Sequence, residues 1–366
     1  MKFLLNIAGV LVATLLLSLG VKAGEGVERS NGRYVNDIGP HKMSFGKAAS
    51  QVVFSKQVDK SPKDPLPLRQ LDAASLADVQ GPVMYRLGHS SILVKLGEDL
   101  VLIDPVFSER ASPLQWVGPR RFHPVPLAPE ELPTITAVVI SHNHYDHLDK
   151  GTVRQLEDKV EYFVVPLGVG EHLRDWGVDD DSIVELDWWE ELEIGELTLA
   201  ATPAQHFSGR SLTDRNKTLW ASWVIQGDGA NLFFSGDTGY FDGFSEIGER
   251  YGPFDVTMIE NGAYNEAWRS MHLMPEESVQ AHIDLRGRAM LPIHNSTFDL
   301  SIHAWYEPLE RVSALAAERG VQLLTPVIGA PVQVFEPRPT YAWWRGMQGE
   351  VVADGAPAGE VCEEAC

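Results

Sequence analysis

The chain has 366 residues and carries 30 basic against 51 acidic side chains, a formal net charge of −21 with histidine neutral. This balance excludes a protein that binds nucleic acid through a basic surface. Hydrophobic residues make up 44% of the sequence, an ordinary globular composition, and the length allows one large domain or two typical ones. The only cysteines, Cys362 and Cys366, lie at the C-terminal end, so a metal bound by the main body needs nitrogen and oxygen ligands.

The first 23 residues have the pattern of an export signal. Lys2 precedes an uncharged run over residues 3–21, and the small residues Val21 and Ala23 stand just before a cleavage point at residue 24. We therefore predict removal of residues 1–23 and a periplasmic or envelope-associated protein. The uncharged run approaches the roughly 20 residues that span a bilayer, so an uncleaved N-terminal membrane anchor is the alternative.

The rest of the chain divides by composition. Residues 24–80 are polar and punctuated by proline, which predicts an N-terminal extension largely without regular structure. Apolar segments bounded by glycine, aspartate and proline predict a main domain over 81–335, and residues 336–366 predict a C-terminal tail.

Strands and helices interleave along the main domain. Predicted strands cover 83–87, 91–96, 100–103, 136–140, 162–165, 197–202, 219–226, 231–235, 256–259 and 289–293. Predicted helices cover 150–159, 169–176, 275–285 and 303–319. Several strands meet through tight turns, so we expect an α/β or α+β fold with two mixed sheets covered by helices.

Metal-ligand residues concentrate in the segment S-H-N-H-Y-D-H-L-D at 141–149, directly after an apolar run. Imidazole and carboxylate bind zinc and similar divalent ions, and a strand end presents alternate side chains in one direction. His142 and His144 can therefore share one ion, while Asp146 and His147 face a second. A lone histidine is more often a core or surface residue, but four ligand-type residues at this spacing favour a metal site.

Three further ligand-type residues, His206, Asp237 and His294, each follow a predicted strand elsewhere in the chain. Taken singly, the histidines fit a core position and the aspartate fits a turn or helix cap. Together with the first segment they complete two coordination shells. Other histidines lack this placement and are predicted to be structural or surface residues, among them His41, His123, His172 and His303.

The order H-x-H-x-D-H, then His, Asp and His, resembles the metallo-β-lactamase superfamily. Its fold is a four-layer αβ/βα sandwich with two mixed sheets and a two-metal site at one edge. Within it, L-D-W-W-E at 186–190 and G-P-F-D at 252–255 resemble N-acyl-phosphatidylethanolamine-hydrolysing phospholipase D and its bacterial relatives. The resemblance covers about residues 82–308, so 81–335 is expected to be the catalytic domain. Glu260, Asn261 and Asn295 depart from the animal enzymes near the expected substrate pocket.

The resemblance implies a ligand set for two divalent metal ions. His142, His144 and His206 would hold one ion, Asp146, His147 and His294 the other, and Asp237 would bridge them. Zinc is the first choice, and such ligands also accept iron or manganese. Asp104, which follows the strand at 100–103, either accepts a hydrogen bond from a ligand histidine or is a turn residue.

The implied reaction is attack on a phosphodiester by a hydroxide held between the ions. Asp146 would also orient this nucleophile. His282, on the helix at 275–285, is the candidate proton donor to the leaving group, and packing on a core face is its alternative. His272, just before that helix, is a weaker substitute.

The implied activity is that of a phosphodiesterase of phospholipase D type on N-acyl-phosphatidylethanolamine-like phospholipids. The expected partners are a phospholipid or other small phosphodiester, a membrane surface and a second copy of the chain in a homodimer. Two alternatives stand beside it: a lactonase or other carbonyl-ester or amide hydrolase on the same site, and a zinc store or sensor without turnover. Seven donors shared by two ions leave coordination positions open, which favours catalysis.

Overall fold

The computed structural model describes residues 20–22, 26–36 and 59–348. Most of the predicted signal, residues 37–58 of the predicted extension and the end of the tail with both cysteines lie outside the described residues. Within the described part of the chain, no helix is long and apolar enough to cross a membrane. Two short strands, β1 (Arg29–Ser30) and β2 (Arg33–Tyr34), pair with each other before the main domain.

The first large sheet has seven strands. They are β3 (Val83–Gly88), β4 (Ser91–Leu96), β5 (Asp99–Ile103), β6 (Ile135–Val139), β7 (Val160–Pro166), β8 (Ile183–Leu186) and β16 (Pro331–Gln333). Their spatial order is β16-β3-β4-β5-β6-β7-β8. Neighbours are antiparallel from β16 to β5 and parallel from β5 to β8.

The second large sheet repeats this arrangement. Its strands are β9 (Glu191–Ile194), β10 (Leu197–Thr202), β11 (Ser222–Gly227), β12 (Ala230–Phe234), β13 (Phe254–Glu260), β14 (Gly287–Ile293) and β15 (Gln322–Leu323). The spatial order is β15-β14-β13-β12-β11-β10-β9, parallel from β15 to β12 and antiparallel from β12 to β9. The predicted fold with two mixed sheets is confirmed.

Helices cover the outer faces of the two sheets. They are α1 (Ser75–Asp78), α2 (Lys150–Leu156), α3 (Gly170–Trp176), α4 (Gly243–Tyr251), α5 (Pro275–Asp284) and α6 (Glu307–Arg319). Helix α2 begins where the Asp149 side chain accepts a hydrogen bond from the Gly151 amide. Apolar residues of α2 and α3 pack with the first sheet, whereas α5 packs on β13 and β14.

The side chains of the central strands explain the layers. In β5, Val101 and Ile103 lie in the core between the sheets, while Leu100 and Leu102 lie in the core under the helices. Successive strand residues point to opposite faces, and here both faces are covered. The continuous apolar runs of these strands are therefore the sequence signature of a doubly covered sheet.

Some predicted elements differ from the observed ones. Strands β8, β9, β15 and β16 and helix α4 were absent from the prediction, because the strands are short and α4 buries few large apolar side chains. Helix α6 begins at Glu307 rather than at residue 303, with Pro308 in its first turn.

A buried hydrogen bond joins the second sheet to the residue after β6 and should contribute to stability. The Trp223 indole donates a hydrogen bond to the Ile140 carbonyl at 3.0 Å, and Trp223 is fully buried. Trp223→Phe removes this bond, so we expect the free energy of unfolding to fall by about 1–3 kcal/mol in a denaturant titration. Trp116→Phe, at a residue that is 77% exposed, is the control and should change it by less than about 0.5 kcal/mol. Equal unfolding free energies for the two variants would contradict the prediction.

Candidate metal centre

The polar residues of the candidate site leave the strands at one edge of the sandwich. Each follows the end of a strand, from the first sheet or from the second: Asp104 after β5, residues 141–149 after β6, His206 after β10, Asp237 after β12 and His294 after β14. Because the sheets face each other, segments that are far apart in sequence meet there.

One group of side chains gathers around His144. His144 Nδ1 lies 2.8 Å from His142 Nε2 and 3.3 Å from His206 Nε2. Asp237 Oδ2 lies 3.8 Å from the Nε2 atoms of both His142 and His206. One potential ligand atom of each of these four residues lies within 4.8 Å of the others.

A second group gathers around Asp146. Its Oδ2 lies 3.2 Å from His89 Nε2, 3.3 Å from His294 Nε2 and 3.6 Å from His147 Nε2. Asp237 joins the two groups, with Oδ1 3.1 Å from His147 Nε2 and Oδ2 3.2 Å from His294 Nε2. The structure thus brings all seven predicted metal ligands together, with Asp237 between the two groups.

The donor atoms fit a metal better than they fit one another. His147 Nε2 and Asp237 Oδ1 are 3.1 Å apart, yet neither makes a hydrogen bond of acceptable direction to any described group. Two such atoms, buried and turned to a common space, suit a shared cation. Imidazole nitrogens and carboxylate oxygens are the ligands of zinc and similar divalent ions.

Asp104 and Ser141 contact the Nδ1 atoms of two histidines, on the side of each ring that faces away from the cluster. Asp104 Oδ2 lies 2.7 Å from His147 Nδ1, and Asp104 accepts hydrogen bonds from the Ser141 amide at 2.7 Å and hydroxyl at 2.6 Å. The Ser141 hydroxyl lies 2.9 Å from His142 Nδ1. These contacts turn the Nε2 atoms of His142 and His147 towards the cluster. Asp104 therefore contacts a histidine of the predicted ligand set, which is the first of the two roles that the sequence allows for it.

The N-terminal extension also reaches the site. Asn36, two residues after β2, donates to the His206 carbonyl at 2.9 Å and accepts from the His206 amide at 3.1 Å. Its side-chain oxygen also accepts a hydrogen bond from the Trp220 indole at 3.1 Å. Sequence reasoning gave this segment no role, and its polar composition offered no signal for one.

Two glycines allow the segments to approach closely. A Cβ atom on Gly236, where φ is +57°, would lie 2.8 Å from the Ser141 Cβ. A Cβ atom on Gly262 would lie 1.9 Å from the His294 carbonyl oxygen. Side chains at these two positions would push Asp237 and His294 away from the cluster.

Burial and neighbouring charges shift the pKa values of the carboxylates and histidines of the cluster. Burial opposes ionisation, but the histidines, His147 foremost, hold the pKa of Asp146 and Asp237 well below its usual value. Although burial disfavours its charge, Asp237 and Asp146 raise the pKa of His294 to about 10. Burial lowers the pKa of His142 well below its usual value, which favours the neutral form that binds a metal.

Three residues near the cluster, His89, Glu260 and His272, were not among the predicted metal ligands. His89, in the turn between β3 and β4, lies at the cluster, and the sequence analysis did not single it out. Glu260, the last residue of β13, is fully buried and was noted only as a departure from the animal enzymes. Its carboxylate accepts from the Thr238 amide at 2.7 Å and contacts His272 Nδ1. His272 and Glu260 form a further group with Asp237 and His294.

The structure does not bring His282 to the cluster. His282 Nδ1 lies 2.7 Å from the Thr257 hydroxyl in the middle of β13, and its ring packs against Gly287. Burial lowers the pKa of His282 to about 4. Among the residues that the structure describes, none of the three histidine and carboxylate groups includes it.

A cavity of about 280 Å³ opens above the cluster. Its polar side is formed by His144, Asp146, Asp237, His272 and His294. Its apolar side is formed by Phe207, Ala263, Trp268, Met271 and Leu300. The site can therefore hold a substrate with one charged group and adjoining apolar parts.

Comparison with known proteins agrees with this architecture. The family model of the β-lactamase superfamily domain matches residues 100–295. An uncharacterized protein of Mycobacterium tuberculosis is 49% identical over 262 residues, 70% of either chain. The N-acyl-phosphatidylethanolamine-hydrolyzing phospholipase D 1 of Caenorhabditis elegans is 35% identical over 268 residues, 69% of this chain and 75% of that one.

Solved structures share the fold at low sequence identity. A metallo hydrolase of the archaeon Ignicoccus hospitalis has a TM-score of 0.53 at 21% identity and covers 69% of this chain and 97% of its own. An isothiocyanate hydrolase from Delia radicum gut bacteria has a TM-score of 0.55 at 18% identity and covers 68% of this chain and 98% of its own.

A two-sheet α/β sandwich with histidines and carboxylates clustered at one edge defines a class of metal-dependent hydrolases. The matched family domain and the relatives show which family it is. The chain belongs to the metallo-β-lactamase superfamily of hydrolases.

If the cluster binds a metal, removal of that metal should lower the stability of the folded protein. Because a ligand that binds only the folded state stabilises it, dialysis against a chelator should lower the melting temperature and zinc should restore it. Asp237→Asn should abolish most of this zinc-dependent rise. His282→Gln is the control and should keep the rise even if its baseline melting temperature is lower. A full rise in Asp237→Asn, or its loss in His282→Gln, would contradict the geometry.

Proposed function

We propose that the protein is a metal-dependent phosphodiesterase of phospholipase D type that hydrolyses N-acyl-phosphatidylethanolamine-like phospholipids. The observation that carries the proposal is the cavity above the cluster, with a charged floor and an apolar wall that includes Phe207, Trp268 and Leu300. A phosphodiester suits the floor, and acyl chains suit the wall. The 35% identity with the nematode phospholipase D supports the same substrate class.

The metal assignment is part of this proposal. His142, His144 and His206 would hold the first ion and Asp146, His147 and His294 the second, and Asp237 lies close enough to both sets to serve either ion. His89 lies close enough to Asp146 to join the second set. Two bound divalent ions, zinc by preference, would supply Lewis acidity and would lower the pKa of a coordinated water to about 7.

Residues of the chain orient the attacking water and donate a proton to the leaving group. Asp146 lines the cavity and is the more exposed of the two cluster carboxylates, so we assign it the orientation of the attacking water. His272 also lines the cavity, whereas His282 does not. Because Glu260 holds His272 Nδ1, the other ring nitrogen is left for the leaving-group oxygen, and we assign proton donation to His272.

The substrate class is tested by a hydrolysis panel on the zinc-loaded protein. We expect cleavage of N-acyl-phosphatidylethanolamine and bis(p-nitrophenyl) phosphate, measured by product release. His142→Ala and Asp237→Ala should lower kcat/KM by about 100-fold or more, because each removes a metal ligand. A homoserine lactone and a chromogenic cephalosporin should be cleaved poorly.

Two matched variants separate the roles of the nearby histidines in the same panel. His272→Gln should lower kcat with little change in KM, because the proton donor acts in the transition state. His282→Gln should leave kcat within about twofold. Cleavage of only the lactone or the cephalosporin would overturn the substrate class and favour the carbonyl hydrolase alternative.

Contact with a membrane surface is the second part of the proposal. Large apolar side chains are exposed on two loops: Leu114, Trp116 and Val117 on one, and Leu212 on the other. Parts of both loops line one cavity of about 470 Å³, together with Tyr145, which stands between His144 and Asp146 in the chain. Exposed tryptophan and leucine favour the apolar boundary of a lipid surface. The acidic chain favours zwitterionic over anionic lipid.

Vesicle binding tests this surface. The full chain should co-sediment with phosphatidylethanolamine and phosphatidylcholine vesicles, and combined Trp116→Ser and Leu212→Ser should lower the bound fraction several-fold. Ile283→Ser, at another exposed apolar residue, is the matched control and should bind like the unaltered protein. Equal binding by the double variant would exclude these loops as the contact. Hydrolysis of soluble bis(p-nitrophenyl) phosphate should not change in either variant.

A further inference from the structure

His294 has one ring nitrogen whose partner the surrounding protein does not supply. Its Nε2 faces the cluster, 3.2 Å from Asp237 Oδ2 and 3.3 Å from Asp146 Oδ2. Its Nδ1 is buried and makes no hydrogen bond to any atom of the described residues. A histidine that binds a metal through one nitrogen almost always donates the other N–H to an acceptor.

Other assigned ligands that turn Nε2 to the cluster follow this rule. His147 Nδ1 lies 2.7 Å from the Asp104 carboxylate, and His206 Nδ1 lies 2.9 Å from the Met271 carbonyl. His142 Nδ1 lies 2.9 Å from the Ser141 hydroxyl. His294 therefore differs from the three assigned ligands that bind in the same way.

His303 carries the complementary atom. Its Nδ1 lies 3.0 Å from the Ala304 carbonyl, and because a carbonyl only accepts, Nδ1 bears the hydrogen. With the hydrogen on Nδ1, Nε2 of the neutral ring is an acceptor, and burial lowers the pKa of His303, which favours this neutral form. This Nε2 is buried and also lacks a hydrogen-bond partner within the described chain. The ring is stacked on Tyr264, with 4.5 Å between centroids, which fixes its orientation.

A cavity of about 20 Å³ is lined by both His294 and His303. One water molecule needs roughly 10–15 Å³ and two to four polar partners. No direct hydrogen bond joins the two rings, so a molecule that both accepts and donates suits the space between an N–H and a ring nitrogen. Ser296 and Asp299 line the same cavity and offer acceptors for the second hydrogen of a water.

We propose that His303 is a positioning residue for His294, acting through one buried water that accepts from His294 Nδ1 and donates to His303 Nε2. The inference rests on the proposed function, because it presumes that His294 binds a metal. The water would fix the His294 ring with Nε2 directed at the second metal position. His303, which sequence reasoning left as a structural or surface residue, would then support the metal centre without touching the metal.

The test measures metal affinity rather than activity. Zinc dissociation constants of the full chain are determined by competition with a chromophoric chelator. His303→Phe keeps a ring that can stack on Tyr264 but removes Nε2. It should lower the affinity for one of the two zinc ions by about 10–100-fold and leave the affinity for the other unchanged. His303→Gln keeps a hydrogen-bonding end and should lose less affinity than His303→Phe.

Tyr264→Phe is the matched control. It removes the hydroxyl that donates to Glu307 at 2.9 Å and leaves both the ring and His303 Nε2 in place, so both zinc affinities should stay unchanged. If the unaltered protein binds no zinc, the proposed function fails. If it binds two ions and His303→Phe binds both with unchanged affinity, this inference fails and the proposed function stands.

A second measurement covers the case in which His303→Phe does not fold. A crystal structure of the zinc-loaded, unaltered protein should show one water within hydrogen-bonding distance of both His294 Nδ1 and His303 Nε2. A direct contact between the two rings, or a different acceptor at His294 Nδ1, would overturn the inference.

Discussion

The structure depends on two carboxylates that lie among histidines at the edge of the sandwich, Asp237 buried and Asp146 partly exposed to the cavity. Every ion-pair partner of Asp146 and Asp237 in the described chain is a histidine. A buried carboxylate without a cationic partner costs several kcal/mol, so these two groups require either protonated imidazoles or a bound cation. Although burial disfavours their charge, the neighbouring carboxylates, Asp237 foremost, raise the pKa of His147 and His294. A divalent ion would take the place of those protons, which links metal binding to folding stability.

This electrostatic requirement explains the shape of the chain around the site. Donors must come from both sheets, and most arrive where a strand has just ended, on backbone that must turn sharply. His89, Asp104 and His294 have positive φ values of 52°, 40° and 63°. Such conformations cost of order 1 kcal/mol or more for residues other than glycine, and they persist where the surroundings fix them. Here Asp104 accepts two hydrogen bonds from Ser141, and the His294 amide donates to the His89 carbonyl.

The sequence indicated the ligand-type residues at strand ends that the structure brings together, and it missed contacts between remote parts of the chain. The segment at 141–149 was recognisable because four ligand-type residues are contiguous after an apolar run. Asn36 and His206 are 170 positions apart, and nothing local to Asn36 indicates their contact. His282 was favoured from its place on a helix, but its role depends on what the helix faces, and that face packs on Thr257 in β13. Short edge strands such as β9 and β15 were missed because their identity depends on pairing rather than on an apolar run.

A third carboxylate near the cluster is subject to the same electrostatic requirement. Glu260 adds a third, fully buried carboxylate beside Asp237, and burial raises its pKa. Glu260 is accommodated because His272 and the Thr238 amide bind its oxygens, and Glu260 in turn raises the pKa of His272. Each member of the pair offsets the burial cost of the other, since a carboxylate left without its histidine would be an unpaired charge in the interior. Glu260 and His272 therefore form one unit, in which His272 lines the cavity and Glu260 is its buried partner, and the polarity of this part of the cavity depends on the pair.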